Sequence, residues 1–289
     1  MAIRLKYIKL INYCGYRNFE LELKSWNVLF GPNGSFKTNF LNAVRMLSSP
    51  HRYVGKTHID IFRKITYHPN YQPGMAGFDK NKTEMYMEGI FDTEDGEKKV
   101  VIKNNWIPEE SGTVINELTT KYREPYFHID ADWPPSLNIF QLISDYRKEF
   151  LDVAEQVYGL KCFLSDKRED TVEEFDEQTG KYIIFCRNFV IEKQNNTKVN
   201  FKSMSGGEKK IAVMLRLLFN RCYKLDSNNR NIILIDNIAK EIYYKRHMTL
   251  IKKLQEYFPD KQFIITTHSP EIIRGMDKKY LIDMENYIG

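Results

Sequence analysis

The chain opens on alternating apolar and polar positions. Ile3, Leu5 and Tyr7, then Phe19, Leu21 and Leu23, follow the period of two of half-buried strands, with a turn around Asn12 to Asn18. Trp26 to Phe30 is a short apolar run leading into a glycine-containing loop, after which Phe40, Leu41, Val44 and Leu47 recur at helical spacing. Strand, loop and helix are expected in that order. Residues 51 to about 80 carry turn signals without a clean period, while Thr83 to Phe91 and Lys98 to Lys103 read as strands joined across Thr93-Glu94-Asp95-Gly96. From Pro134, the positions Leu137, Phe140, Ile143, Phe150, Val153 and Val157 predict helices up to about Gly159, followed by an acidic stretch with turns from Asp166 to Gly180. Tyr182 to Cys186 and Phe189 to Glu192 read as strands.

The last third alternates more regularly. Ile211, Met214, Leu215, Leu218 and Cys222 form one apolar helical stripe, and Ile232 to Ile235 is a continuous apolar run of the kind a central parallel strand shows. A second helix buries Leu250, Ile251, Leu254 and Phe258 before a final apolar strand, Gln262 to Thr266. Such alternation predicts an α/β fold with a central, largely parallel sheet flanked by helices, and ligands at the carboxyl ends of its strands. The antiparallel strands form a small β subdomain beside it, and the middle segment forms a helical lobe.

Composition narrows the class. At 289 residues, 42% hydrophobic and 28% charged, the chain can bury a full core, which excludes a disordered or fibrous protein. Cys14, Cys162, Cys186 and Cys222 are scattered and form no C-x-x-C pair, so neither a disulfide framework nor a zinc site is expected. No apolar run approaches the roughly 20 residues of a membrane span, and the N-terminus lacks a signal-peptide pattern. A soluble protein of the reducing cytoplasm is expected, with no membrane partner. The net charge of +5 permits contact with nucleic acid, but Lys and Arg are spread along the chain, and groupings such as Lys121 to Arg123 read as solvated surface.

Four segments carry candidate chemistry. In Gly31-Pro32-Asn33-Gly34-Ser35-Phe36-Lys37-Thr38, the amides of a tight loop and of a helix N-terminus can wrap phosphate. Lys37 can neutralise the β and γ oxygens, and Thr38 can ligate Mg²⁺. The consensus places glycine before the lysine, and Phe36 there is expected to crowd the loop. In Ser203-Met204-Ser205-Gly206-Gly207-Glu208, the S-x-x-E spacing of Ser205 and Glu208 is a capping box. A cap does not explain Gly206 and Gly207, which cost about 1 kcal/mol each within a helix and imply close approach of something to the backbone. Asp236 follows an apolar strand, where a carboxylate can hold Mg²⁺ through water or simply begin a turn. His268, in Thr266-Thr267-His268-Ser269-Pro270, ends another apolar strand and is either structural or placed to reach a γ-phosphate.

The order and separation of these segments unite them. A phosphate loop near the N-terminus, S-G-G-E about 165 residues on, an apolar strand ending in Asp some 30 further and T-H-S-P another 30 beyond resemble the ABC-type ATPase heads of the SMC, RecF and OLD group. Leu10-Ile11-Asn12-Tyr13 with Tyr16-Arg17 is also similar to the segment preceding the loop in that group. The resemblance implies a single ATPase head. It comprises a phosphate-loop lobe with the antiparallel subdomain over 1–133, a helical lobe over 134–180, and a lobe carrying the signature, Asp236 and His268 over 181–289. It further implies that two heads close face to face as a homodimer or higher homo-oligomer, sandwiching ATP. Gly31, Asn33, Gly34, Ser35, Phe36, Lys37 and Thr38 then surround the nucleotide and Mg²⁺ in cis. Ser205, Gly206 and Gly207 meet the γ-phosphate in trans, Asp236 supports the metal, His268 senses the γ-phosphate, and Gln141 is a weak candidate for the metal-contacting glutamine.

One departure bears on activity. The family pattern has a catalytic glutamate after the aspartate, whereas this chain reads Asp236-Asn237-Ile238-Ala239. Asn237 cannot take a proton, and a general base supplies about 10² to 10⁴ in rate, so slow or absent hydrolysis is expected. Glu241 could substitute only if the loop bends unusually. The sequence holds no long coiled-coil insertion, and it ends soon after the His268 strand, so any nuclease is expected on another polypeptide. Three functions compete. One is an ATP-dependent oligomer gating a separate effector, a nuclease or toxin, in anti-phage defence; another is a RecF-like DNA-binding clamp; the least supported is a transporter ATPase, because the signature reads S-G-G-E-K-K and the coupling sequence is missing.

Overall fold

The computed structural model describes residues 3–49, 85–103, 110–111, 113–114, 126–129, 147–165, 172–176, 181–185, 189–223 and 231–287. Gln141, Cys186, Lys121 to Arg123 and the segment around 51–80 lie outside the described residues, as does most of 166–180. The alternating start forms a hairpin of β1 (Arg4–Tyr13) and β2 (Tyr16–Glu22), followed by β3 (Trp26–Phe30) and helix α1 (Lys37–Ser48). The hairpin turn is tighter than the sequence suggested. It is confined to Cys14 and Gly15, both at positive φ (45° and 95°), as a two-residue turn matched to strand twist requires.

A second hairpin, β4 (Tyr86–Thr93) and β5 (Gly96–Lys103), adds to β1 and completes a four-stranded antiparallel sheet in the order β2-β1-β4-β5. The next described elements are β6 (Tyr126–Ile129), helix α2 (Arg147–Tyr158), β7 (Lys161–Leu164), β8 (Val172–Asp176), β9 (Lys181–Phe185), β10 (Phe189–Glu192) and β11 (Lys198–Asn200). Of these strands, β7, β10 and β11 form a small antiparallel sheet, and β8 pairs with β9. Helix α3 (Gly206–Cys222), β12 (Ile232–Ile235), helix α4 (His247–Tyr257), β13 (Gln262–Thr266), helix α5 (Pro270–Gly275) and β14 (Leu281–Asp283) complete the chain.

Five strands form the central sheet in the order β14-β3-β13-β12-β6, and every pairing in it is parallel. Its strands are apolar on both faces because both faces are covered. On one face, Val28, Ile233, Ile235, Phe263 and Ile265 pack with α2, α3 and α4. On the other, Leu29, Ile232, Leu234 and Ile264 meet Phe40, Leu41, Val44 and Leu47 of α1, whose far side is covered by Leu5, Ile8, Phe91 and Val100 of the antiparallel sheet. Helix α1 is therefore held between two sheets. A buried polar clasp joins them: the Gln262 side chain accepts from the Leu5 amide at 2.9 Å and donates to the Leu5 and Lys24 carbonyls at 2.8 and 2.9 Å. The register aligns Ile235 with Ile265 and Ile265 with Val28, so β3, β12 and β13 end side by side, and their carboxyl ends deliver the loop, Asp236 and His268 to one edge.

Among the described residues no helix is long and apolar enough to cross a membrane. Cys14, Cys162 and Cys222 form no disulfide.

Candidate functional site

The loop between β3 and α1 is shaped by three residues at positive φ: Gly31 at 141°, Gly34 at 82° and Phe36 at 56°. The Lys37 ammonium folds back under it, donating to the Gly31 carbonyl at 3.0 Å, the Pro32 carbonyl at 2.8 Å and Ser35 Oγ at 2.9 Å. Burial lowers the Lys37 pKa, and the Asp236 charge opposes that shift. Helix α1 has no side-chain cap and no acidic residue in its first turn. Its first amides are thus left without a side-chain acceptor at the positive end of the helix dipole, the arrangement that suits phosphate.

Phe36 does not crowd the loop as its type suggested. It forms the N-cap of α1 in the left-handed region, with ψ 17°. Its ring packs edge-on against Tyr16, with centroids 6.0 Å apart, and lies across Gly15, where a Cβ would overlap the ring. The Tyr16 hydroxyl donates to the Phe36 carbonyl at 3.0 Å. The missing glycine is accommodated by a glycine elsewhere, at the tip of the first hairpin.

Asp236 stands at the end of β12 with its amide bonded to the Ile129 carbonyl at 2.9 Å. Its carboxylate is shared: Thr38 Oγ1 donates to Oδ2 at 3.0 Å and Thr266 Oγ1 donates to Oδ1 at 2.5 Å. Thr266 also accepts from the Asn237 amide at 2.7 Å, and this fixes Asn237 at φ 46°. The Thr38 hydroxyl and the Asp236 carboxylate are hard oxygen donors of the kind Mg²⁺ takes while keeping several waters. Among the described residues no cluster of three or more His, Cys, Asp or Glu could hold a metal by itself. A magnesium ion would therefore rely on these two oxygens together with nucleotide phosphate and water, and the donor set fits that use.

These residues line one cleft of about 380 Å³, bounded by Asn33, Gly34, Ser35, Phe36, Lys37 and Thr38 on the loop side and by Asp236, Asn237 and His268 opposite. Burial and the nearby Lys37 ammonium hold the His268 imidazole below its ordinary pKa, and the Asp236 charge opposes that shift. Asn39, Lys240 and Thr266 also line the cleft and were not singled out in the sequence. Thr266 was hidden as the last residue of an apolar strand, although the polar run Thr266-Thr267-His268-Ser269 marks that strand's end. Lys240 lies in a turn without a motif.

Ser205, Gly206 and Gly207 are not among the cleft's lining residues. Ser205 caps α3, accepting from the Glu208 amide at 3.4 Å, while Glu208 Oε2 accepts from the Ser205 amide and hydroxyl, both at 2.9 Å. Lys193 pairs with the other Glu208 oxygen at 2.6 Å. The capping box is therefore present in full. The close approach inferred for the glycines also exists within the chain: a Cβ on Gly207 would overlap the Glu241 carbonyl oxygen. One chain thus holds a cleft bounded by the glycine loop and a glycine-fronted helix start that does not line it.

The RecF/RecN/SMC N-terminal domain model matches residues 4–288, and the chain belongs to that family. In solved structures the fold is that of the SMC head. An SMC head bound to the C-terminal winged-helix domain of ScpA superposes with TM-score 0.61 at 14% identity over 94% of this chain and 92% of that one. The SMC head domain from Thermotoga maritima gives 0.58 at 13% identity over 95% and 92%. Among curated proteins, a retron Ec83 probable ATPase from Escherichia coli is 29% identical over 103 residues, 34% of this chain and 19% of that protein. A retron Vc95 probable ATPase from Vibrio cholerae serotype O1 biovar El Tor is 30% identical over 86 residues, 28% and 17% of the respective chains. The Septu protein PtuA from Bacillus mycoides (strain KBAB4) is 22% identical over 319 aligned residues, 98% of this chain and 40% of PtuA. The chain spans less than half the length of each of these three relatives.

Proposed function

We propose that this chain is an ATP-binding head whose two copies close on ATP and thereby gate a separate effector, such as a nuclease or toxin, in an anti-phage defence assembly of the cytoplasm. Lys37 and Thr38 hold the phosphates and Mg²⁺ in cis with Asp236, His268 reads the γ-phosphate, and Ser205 with Gly206 and Gly207 completes the site from the second copy. The observation that carries this reading is that the glycine-fronted start of α3 does not line the chain's own loop-bounded cleft. Likeness to retron ATPases and to a Septu protein supports the defence setting over DNA repair. Asn237 in place of a carboxylate, held at the cleft with its amide bonded to Thr266, supports slow turnover, so that ATP acts chiefly as a dimer-stabilising ligand.

The test is molar mass by light scattering with and without ATP and Mg²⁺, for the wild type beside Lys37→Ala and Ser205→Arg. The wild type doubles in mass with ATP and both variants stay monomeric. Three monomeric preparations would defeat the proposal. A gel shift with duplex DNA at two salt concentrations runs alongside; salt-sensitive binding that requires ATP would favour a RecF-like clamp instead.

A further inference from the structure

The segment after Asp236 sends neighbouring residues to opposite sides. Lys240 lines the chain's own cleft, while Glu241 does not and turns toward the start of α3. Glu241 takes the left-handed region at φ 66°, which a residue of its type enters only under constraint. The constraint is visible. Its carbonyl is seated against Gly207, where any Cβ would collide, and its carboxylate Oε2 lies 3.4 Å from the Cβ position of Gly206. The next residue, Ile242, is buried, and its carbonyl accepts from His247 Nε2 at 2.8 Å. Its other ring nitrogen, Nδ1, lies within hydrogen-bonding distance of Ser269 Oγ, also at 2.8 Å. A buried histidine thus ties the turn that displays Glu241 to the residue following His268.

Among the described residues no hydrogen bond or ion pair engages the Glu241 carboxylate, and the residue is exposed. Tyr243 and Tyr244, the exposed large apolar side chains among the described residues, follow directly, with rings 4.8 Å apart. Exposed tyrosines are enriched on surfaces that another protein covers, and the Glu241 carboxylate beside them lies against Gly206, at the start of α3. The chain therefore has a carboxylate missing where its own cleft needs a base, at Asn237, and a carboxylate held in reserve beside the signature glycines.

We infer that Glu241 is the general base of the partner's site: in the closed pair it takes the proton of the water that attacks the γ-phosphate bound to the other copy. The water oxygen bonds to the γ-phosphorus, the bond from that phosphorus to the β,γ-bridging oxygen breaks, ADP leaves, and the water's proton passes to the Glu241 carboxylate. Gly207 and His247 are positioning residues, acting through the backbone of the Glu241–Ile242 turn. The inference rests on the two-copy reading above and gives that pair a slow timer that neither copy contains alone.

The experiment combines sizing with phosphate release for Glu241→Gln. The variant dimerises with ATP as the wild type does, its phosphate release falls by about 10²-fold, and its ATP-loaded dimer outlives that of the wild type after ATP is removed. Mixing it with Lys37→Ala, which cannot load ATP but retains Glu241, restores phosphate release, since the loop of one chain then faces the carboxylate of the other. Wild-type release by Glu241→Gln, an unchanged dimer lifetime, or no restoration on mixing would each overturn the assignment while the dimer itself stands. Absence of any ATP-dependent dimer in the wild type would instead show that the two-copy reading has failed, and the assignment with it.

Discussion

Gly15 and Phe36 should behave as an energetically coupled pair, although 21 positions separate them. A methyl group on Gly15 would fall within the Phe36 ring, and the Gly15 backbone is at φ 95°. Gly15→Ala should therefore cost about 1–2 kcal/mol for the left-handed conformation and about 1–3 kcal/mol more for overpacking against the ring. Phe36→Gly loses its edge-on contact with Tyr16, about 0.5–1.5 kcal/mol, and in addition the burial of a ring packed against the core, and regains about 1–2 kcal/mol by relieving φ 56°, so it is destabilising on balance. The double variant retains the Gly15 conformational penalty but has no ring to displace. It should be more stable than the sum of the single effects predicts, by about 1–3 kcal/mol, in urea unfolding of all four proteins. Because Phe36 is the N-cap from which α1 departs, ATP binding should weaken in Gly15→Ala and recover in the double variant. Additivity within about 0.5 kcal/mol would refute the claim that the hairpin tip makes room for the loop's side chain.

Three further outcomes follow from the site. Introduced into Glu241→Gln, Asn237→Glu should raise steady-state phosphate release by about 10²- to 10⁴-fold, at a stability cost of about 1–2 kcal/mol because Asn237 sits at φ 46°; an unchanged rate would show that a base at this position cannot serve the reaction. Gly207→Ala should destabilise by about 1–3 kcal/mol in thermal unfolding, since the added atom meets backbone rather than a movable side chain, and a loss under about 0.5 kcal/mol would contradict the packing described. Burial raises the Glu208 pKa, but the Lys193 and Ser205 hydrogen bonds outweigh it and leave the carboxyl below its ordinary value. Its stabilisation is therefore present at neutral pH and lost as pH falls through the lowered folded-state pKa, so Glu208→Gln should flatten the acid limb of stability against pH, and an unaltered limb would contradict the account.

What the sequence revealed divides along physical lines. The strands Ile232–Ile235 and Gln262–Thr266 were legible because a strand covered on both faces must be apolar throughout, and the β4–β5 hairpin because Thr93 to Gly96 carries turn chemistry between alternating runs. The edge strands Tyr126–Ile129 and Leu281–Asp283 were not identified, being too short for alternation to register. Of the cleft, the residues in recognisable spacing were found, while Thr266 and Lys240 were missed because each acquires its place only when β12 and β13 lie side by side. The accommodation of Phe36 and the display of Glu241 were least accessible. Each depends on a glycine distant in sequence, Gly15 or Gly207, and no local pattern records which side chain or carbonyl that glycine makes room for.

The central claim is that the site is completed by a second copy. It is tested most directly by mixing two chains that are each incompetent alone, Lys37→Ala with a disabled loop and Ser205→Arg with a disabled signature, and measuring molar mass with ATP and Mg²⁺. A mixed dimer unites the intact loop of one with the intact signature of the other, so association should appear on mixing and only with ATP. If both variants, alone and mixed, remain monomeric while the wild type dimerises, the loop and signature act within one chain and the account is contradicted.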